Sequence, residues 1–249
     1  MNHLITAVLF DYGGTLVRQR RPWKETKAKA VRSEYNALKL EGLKLPYDQY
    51  QELNGTIFRK YSELEAKTGR DIPDVIKYRD LVAGIFPSRS EAWRVGVAAR
   101  ANNAFWSTVT RSLVLRENAN ETLANLKSMN LQLAVVSNHH NPQSLVGHLE
   151  SLRISSYFSQ VLASSQTRFR KPDPRIFEKC LSLMKVRRQE AIYVGDSPEY
   201  DSKGAKRAGM RSILVVDDAA SDRAPDTVSC EADFVIRSLD EIPGIVSSL

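Results

Sequence analysis

Residues Ala7 to Val17 read A-V-L-F-D-Y-G-G-T-L-V, an apolar run that ends on one carboxylate, then two glycines and a threonine. An unbroken apolar run suits a parallel strand buried on both faces, whose residues need not alternate. In open α/β sheets, ligands bind beyond the carboxyl ends of the strands, and Asp11 falls at such an end. Gly13 and Gly14 permit a sharp turn and a close approach of backbone to ligand. A first strand of this kind needs parallel neighbours to bury it, and it spends its end on placing a single carboxylate.

The rest of the chain supplies those neighbours. Strands are expected at Val8 to Phe10, Leu133 to Val136, Val161 to Ala163, Ile192 to Val194, Ser212 to Val216 and Phe234 to Ile236. Helices are expected between them at Asn118 to Met129, Pro142 to Ser151, Pro174 to Met184, Ser202 to Ala208 and Leu239 to Val246. Such alternation implies an α/β fold with a doubly wound parallel sheet of the Rossmann-like kind. From Pro22 to Arg111 the texture changes to helix alone. Helices are expected at Trp23 to Leu40, Tyr47 to Thr68, Pro73 to Phe86 and Ser90 to Thr110, with breaks at Gly42 and Pro46, Gly69, and Pro87. The expected organisation is a core of residues 1–17 and 112–249 with an inserted all-α cap of residues 18–111. An insertion directly after the first strand hangs over its carboxyl edge, where a substrate lid would face Asp11.

Composition narrows the function classes. With 42% hydrophobic and 26% charged residues over 249 positions, the chain has the make-up of an ordinary globular protein able to bury a substantial core. It contains no apolar run of membrane-spanning length and no leader-like N-terminus, so a cytoplasmic protein without membrane contact is expected. Cys180 and Cys230 form no disulfide framework; Cys180 reads as a small apolar residue buried by an amphipathic helix. The net charge of +7 is uneven: Arg18, Arg20, Arg21, Lys24, Lys27, Lys29 and Arg32 are opposed only by Glu25. That run is either a solvated helix face or an attractor of anionic substrate. With only Trp23 and Tyr35 nearby for stacking and no docking motif, nucleic acid is not an expected partner.

Four loops at expected strand ends carry polar residues of one chemical kind. They hold Asp11 with Thr15; Ser137-Asn138-His139-His140; Arg170-Lys171-Pro172-Asp173-Pro174; and Gly195-Asp196-Ser197-Pro198-Glu199-Tyr200-Asp201. In a parallel sheet they converge on one edge. Asp11, Asp196 and Asp201 brought together would raise one another's pKa unless a cation intervenes. Mg²⁺ suits such a place, since it takes one or two carboxylates plus waters and substrate phosphate. Lys171 adds a fixed positive charge and Ser137 a hydroxyl, both fit to hold phosphoryl oxygens. Asp11 is placed to act as a nucleophile through an aspartyl-phosphate. Other readings stand beside these: Ser137 and Asn138 also suit a helix cap, Lys171 a surface position, and Asp201 an N-cap for Ser202 to Ala208. His139 and His140 either begin a solvated helix or point into the site.

The sequence D-Y-G-G-T-L, then S-N, then K-P-D-P-x-I-F, then G-D-S-x-x-x-D-x-x-G-A-x-x-A-G-M resembles the haloacid dehalogenase superfamily over the whole chain, in its members with an α-helical cap. The resemblance implies a phosphatase-like hydrolase acting on a small anionic phosphorylated substrate with Mg²⁺. It makes Asp11 the nucleophile and, with Asp196 and the backbone carbonyl of Gly13, a metal ligand. It assigns phosphate binding to Ser137, Asn138, Gly14 and Lys171, has Lys171 neutralise Asp11, and gives Thr15 and Asp201 supporting places, Asp201 ordering the metal loop.

The chain departs from that family at Gly13. Its phosphatases carry there a second aspartate that protonates the leaving alcohol and later activates water. Glycine keeps the backbone carbonyl and loses the acid–base group. Such a group contributes roughly 10²–10⁴-fold, or about 3–5 kcal/mol, so an alkoxide leaving group suffers most and an aryl phosphate, acyl phosphate or anhydride least. His139, His140 or a cap residue is a possible substitute. Two branches of the family also lack the aspartate. Its dehalogenases need no metal and lack the Gly195-Asp196 pair, whereas its phosphonatases use Mg²⁺ and a cap lysine, for which Lys24, Lys27, Lys29 and Lys60 are candidates. A phosphate-binding regulatory protein with weak or lost turnover is the remaining alternative.

Overall fold

Strand β1 (Ala7–Phe10) is fully buried because each of its faces meets a different layer of helices. Val8 and Phe10 enter one apolar cluster, Ala7 and Leu9 another. The computed structural model describes residues 4–216 and 231–249, so Cys230 lies outside the described residues. Beyond Asp11 the chain turns at Gly14, whose φ of +91° is a conformation that favours glycine. It then forms β2 (Val17–Gln19) and four helices: α1 (Trp23–Leu40), α2 (Tyr47–Thr68), α3 (Asp74–Ile85) and α4 (Glu91–Arg111). It returns as β3 (Leu113–Leu115), which pairs antiparallel with β2, so a short two-stranded ribbon carries the chain out to the helices and back.

The inserted helices enclose an apolar cluster of their own. Leu38 of α1, Tyr50 of α2, Leu81 and Val82 of α3 and Val97 of α4 lie in it, each with at most 0% of its surface exposed. Burying one such aliphatic side chain contributes about 1.5–3 kcal/mol. Within this cluster Glu34 is also buried, and accepts hydrogen bonds from Tyr50 Oη at 2.6 Å, Asn54 Nδ2 at 2.5 Å and Tyr78 Oη. Desolvation raises its carboxyl to about 7 against the pull of those donors.

The second half alternates as expected from the sequence: α5 (Ala119–Ser128), β4 (Gln132–Ser137), α6 (Pro142–Ser151), β5 (Phe158–Ala163), the single turn α7 (Ser164–Thr167), α8 (Pro174–Met184), β6 (Ala191–Gly195), α9 (Lys203–Arg207), β7 (Arg211–Val215), β8 (Phe234–Ile236) and α10 (Ile242–Ser247). The six-stranded sheet has the order β5-β4-β1-β6-β7-β8, with every pairing parallel. The fold class is the doubly wound α/β sheet. On one face pack Leu123 of α5, Leu145 of α6 and Ile242 of α10; on the other pack Ile176, Phe177 and Cys180 of α8 with Ala205 of α9. Cys180 is indeed a buried filler, and burial pushes its thiol up to about 12. Helix α8 begins where Asp173 accepts from the Arg175 N–H, with Pro174 pre-set in its first turn. The chain lays strands to one side of β1 and then to the other, so the order reverses at β1 and a crevice opens beyond its carboxyl end.

Candidate active site

Asp11 follows β1, and its N–H donates to Val194 O at 2.8 Å, which ties the carboxylate's backbone to β6. Ser137 ends β4, Asp196 follows β6, and Lys171 stands in the loop before α8. The sheet brings these four to one cavity of about 510 Å³, whose walls also include Gly13, Asn138, His139 and Asp201.

Lys171 is the centre of charge. Its ammonium is 3% exposed and donates to Asp11 Oδ1 at 2.7 Å, to Asp201 Oδ1 at 2.6 Å and to Tyr193 Oη at 2.8 Å. Desolvation acts to lower its pKa, but the carboxylates of Asp11 and Asp201 prevail and hold it above the usual lysine value, so it stays charged. Asp201 is not a helix cap. It lies within the turn Pro198–Ser202, accepts the Ser197 N–H at 2.9 Å on its other oxygen, and so braces the loop that carries Asp196. Ser197 takes the capping place instead, accepting from Tyr200 N. Gly195 is needed at this brace, since a Cβ there would stand 2.3 Å from the Asp201 carboxyl carbon.

Tyr193 went unnoticed in the sequence, where it reads as one apolar residue of I-Y-V. Its hydroxyl donates to Val136 O at 2.8 Å while accepting from Lys171, so a buried phenol links β6, β4 and the lysine. The available signal was chemical: a tyrosine in a strand buried on both faces needs a partner for its hydroxyl.

The expected phosphate contact of Gly14 is corrected, and that of Asn138 is not made by its side chain. Gly14 donates its N–H to Val17 O at 2.7 Å, and Arg116 donates to its carbonyl, so neither backbone group faces a ligand. Its place is steric, because a Cβ there would stand 2.1 Å from Asp196 Oδ2. The Asn138 amide is engaged at both ends with the Lys171 backbone, donating to its carbonyl at 3.0 Å and accepting its N–H at 2.8 Å. That side chain positions Lys171 rather than reaching for phosphate. The helix cap is Asn141, which accepts from Ser144 N, and neither Ser137 nor Asn138. Thr15 is buried, with its hydroxyl 3.5 Å from Asp196 Oδ1.

Asp11, Asp196 and Asp201 each offer an oxygen within 4.8 Å of the others. Burial raises Asp11 more than Lys171 lowers it, and Asp201 adds to the rise. Desolvation, then Asp11 and Asp201, push Asp196 up to about 7. Three carboxylates here face one ammonium, a surplus of two negative charges when all are ionised. Hard oxygen donors with that surplus fit a divalent cation such as Mg²⁺.

The two histidines do different things, and neither begins a solvated helix. His139 is buried, accepts the Asn141 N–H on Nδ1 at 3.1 Å, and has its ring 4.3 Å from that of Trp106 on α4. Burial pushes it down to about 3, so the ring is neutral with its proton on Nε2. His140 faces the inserted helices. Its Nδ1 lies 3.1 Å from Asp71 Oδ1 and 3.3 Å from Lys77 Nζ, and Lys77 in turn lies 2.9 Å from Glu65. Glu65, Asp71 and His140 also stand close enough to share an ion, but the buried Lys77 ammonium takes the place of one.

The basic run behaves as a solvated face. Lys24, Lys27 and Lys29 are exposed on α1, and Arg18 pairs with Glu117 in the open, which adds little stability. Among the described residues lining the Asp11 cavity, Lys171 is the one lysine or arginine. Lys24, Lys27, Lys29 and Lys60 do not reach it, so the amine that phosphonate cleavage requires is not found there.

A doubly wound sheet with carboxylates and a buried lysine converging on the end of its first strand defines a hydrolase of the haloacid dehalogenase type. The family model for haloacid dehalogenase-like hydrolases matches residues 47–215, and the chain belongs to that family as a phosphatase-like hydrolase. It is 29% identical over 219 residues to the haloacid dehalogenase-like hydrolase domain-containing protein 3 of Homo sapiens, covering 88% of this chain and 84% of that protein. It is 26% identical to the glyceraldehyde 3-phosphate phosphatase of Methanopyrus kandleri, with 99% of each covered. Among solved structures, the 2-haloacid dehalogenase of Pseudomonas syringae pv. Tomato DC3000 shares the fold, with a TM-score of 0.68 at 21% identity over 98% of this chain and 99% of that one. Among the described residues no helix is long and apolar enough to cross a membrane.

Proposed function

We propose that the protein is a Mg²⁺-dependent phosphohydrolase that transfers a phosphoryl group from a small phosphorylated metabolite to Asp11 and then to water. The observation that carries this reading is the buried Asp11–Lys171–Asp201 constellation with Asp196 beside it, at the carboxyl edge of β1. Asp11 and Asp196, with the Gly13 carbonyl, would hold the metal, which when bound supplies positive charge to the carboxylates and the phosphoryl oxygens. Lys171 neutralises charge that develops on the transferring group. Ser137 offers a hydroxyl to the same oxygens, while Asn138 and Tyr193 keep Lys171 in place. Residues 18–111 act as a cap over the cavity, contributing Trp23, Trp106 and Val109 to its walls.

Asp11 attacks phosphorus, the leaving oxygen departs with its electron pair, and water later cleaves the aspartyl-phosphate. Gly13 provides no acid for the first step and no base for the second. His139 does not replace it: the neutral ring already holds its proton on Nε2 and its Nδ1 lone pair is engaged. Phosphoenzyme formation on an activated substrate therefore outruns its hydrolysis. The expected result is a burst of leaving group on rapid mixing, phosphate recovered on Asp11 by mass spectrometry, and loss of both in Asp11→Asn and after chelation. Absence of turnover above background across a panel of phosphoesters and anhydrides would sink the proposal.

A further inference from the structure

The leaving-group side of the cavity has its own chemistry. Its walls are Trp23 at the start of α1, Trp106 and Val109 of α4, Leu113 of β3 and Tyr200 of the Pro198–Ser202 turn. No lysine or arginine joins them among the described residues, and the charges below are the carboxylates of Asp11, Asp196 and Asp201 and the ammonium of Lys171. A second anionic group on the leaving part of a substrate would meet no cation on that side. Trp106 is held in place: its indole N–H donates to Asp74 Oδ2 at 2.7 Å, and its ring is tilted 33° against His139. Trp23 is 44% exposed at the cavity edge, and no ring of the described residues packs against it within the contacts seen for the other aromatics. Such a surface suits a planar aromatic ligand, which gains from ring packing and from burial.

Gly13 points to the same class independently. Without an acid, the leaving oxygen must depart as an anion. A phenol, with a pKa of about 10, leaves far more readily than an aliphatic alcohol, whose pKa is near the ~16 of water. We propose that the natural substrate is an aryl phosphate, a phosphomonoester of a hydroxyarene, whose ring lies against Trp23 and Trp106. This rests on Asp11 being the phosphoryl acceptor. A carboxylate oxygen of Asp11 forms a bond to phosphorus as the phosphorus–oxygen bond to the ring breaks. The electron pair leaves on the phenolate, which takes a proton from solvent. Water then bonds to phosphorus, the bond to Asp11 breaks, and phosphate departs with the carboxylate restored and a proton released to solvent.

The test compares phenyl phosphate, benzyl phosphate and acetyl phosphate with the full chain in Mg²⁺. Both esters carry a ring, but only the first has an activated leaving group, and acetyl phosphate is activated without a ring. In the wild type, kcat/KM for phenyl phosphate is expected to exceed that for benzyl phosphate by at least about a hundredfold. Trp23→Ala should lower the phenyl-to-acetyl ratio about tenfold, chiefly through KM, and Trp23→Phe should restore most of it. Benzyl phosphate turned over within about tenfold of phenyl phosphate, or a ratio indifferent to Trp23→Ala, overturns the assignment. If acetyl phosphate is hydrolysed with no aryl preference and the activity is lost in Asp11→Asn, the aryl assignment falls and the Asp11 chemistry stands. Failure on all three removes both.

Discussion

In the proposed mechanism Gly13 is the residue on which the rate turns. A Cβ built there meets nothing within 4 Å, and its φ lies outside the left-handed region, so a side chain fits without strain. Gly13→Asp is therefore expected to fold normally and to raise kcat/KM on an alkyl phosphate by about 10²–10⁴-fold, with a much smaller gain on an aryl phosphate. Parallel initial-rate measurements check this, and equal gains on both substrates would count against a missing acid. At this scale the sequence was informative about polar residues. Asp11, Ser137, Lys171, Asp196 and Asp201 announce themselves by type and by position at strand ends. Gly14 and Asn138 were read there as phosphate contacts and Tyr193 was passed over, because their work depends on which backbone group or lysine lies next to them.

At the scale of elements, the loop from α2 to α3 is latched to the loop after β4 and to the α7 turn after β5. Asp71 accepts from Ser164 Oγ, its N–H donates to Arg168 O at 3.2 Å, and its carboxylate faces His140. Burial acts to raise Asp71, but the hydrogen bond and charge of His140 hold it below the usual carboxylate range. Desolvation acts to lower His140, but Asp71 and then Asp74 hold it above the usual histidine value, against Lys77. An acid with a lowered folded pKa contributes stability above its unfolded value and loses it as pH falls; a histidine with a raised one contributes below its unfolded value and loses it as pH rises through the folded one. The latch is thus strongest between roughly pH 4 and pH 6.5. Asp71→Asn should lower the thermal midpoint most in that window, with the gap to wild type narrowing above it while Glu65, Asp74, Lys77 and Arg170 remain. A gap constant from pH 5 to pH 9 in melting experiments would exclude the His140 charge. Helices α1 and α2 were legible to their ends, since periodic apolar residues and Gly69 mark them. The ribbon of β2 and β3 was not, because three-residue strands carry no period.

For the whole molecule, the surplus negative charge at the sheet edge is a folding liability that the proposed cation would relieve. A ligand that binds only the folded state stabilises by about 2.7 kcal/mol at a hundred times its Kd, or roughly 5–10 °C for a chain of this size. Saturating Mg²⁺ should raise the melting temperature by that order, chelation should reverse it, and Asp196→Asn should abolish most of the shift. Scanning calorimetry with and without Mg²⁺ checks this, and a wild-type shift no larger than that of Asp196→Asn would remove the metal from the site.

What the sequence determined by itself was the kind of chain: a parallel α/β sheet interrupted by helices, with acidic and basic residues at successive strand ends. Those features are local, since hydrophobic period, turn residues and residue type act within a few positions of themselves. Only the tertiary structure decided that Lys171 sits between Asp11 and Asp201, that Tyr193 and Asn138 hold it there, and that the arginines and lysines of α1 stay in solvent. It also decided that Trp23 and Trp106, 83 residues apart in number, wall one cavity. Contacts of that span depend on how the sheet orders its strands and where the inserted helices dock, and no window of sequence contains both partners.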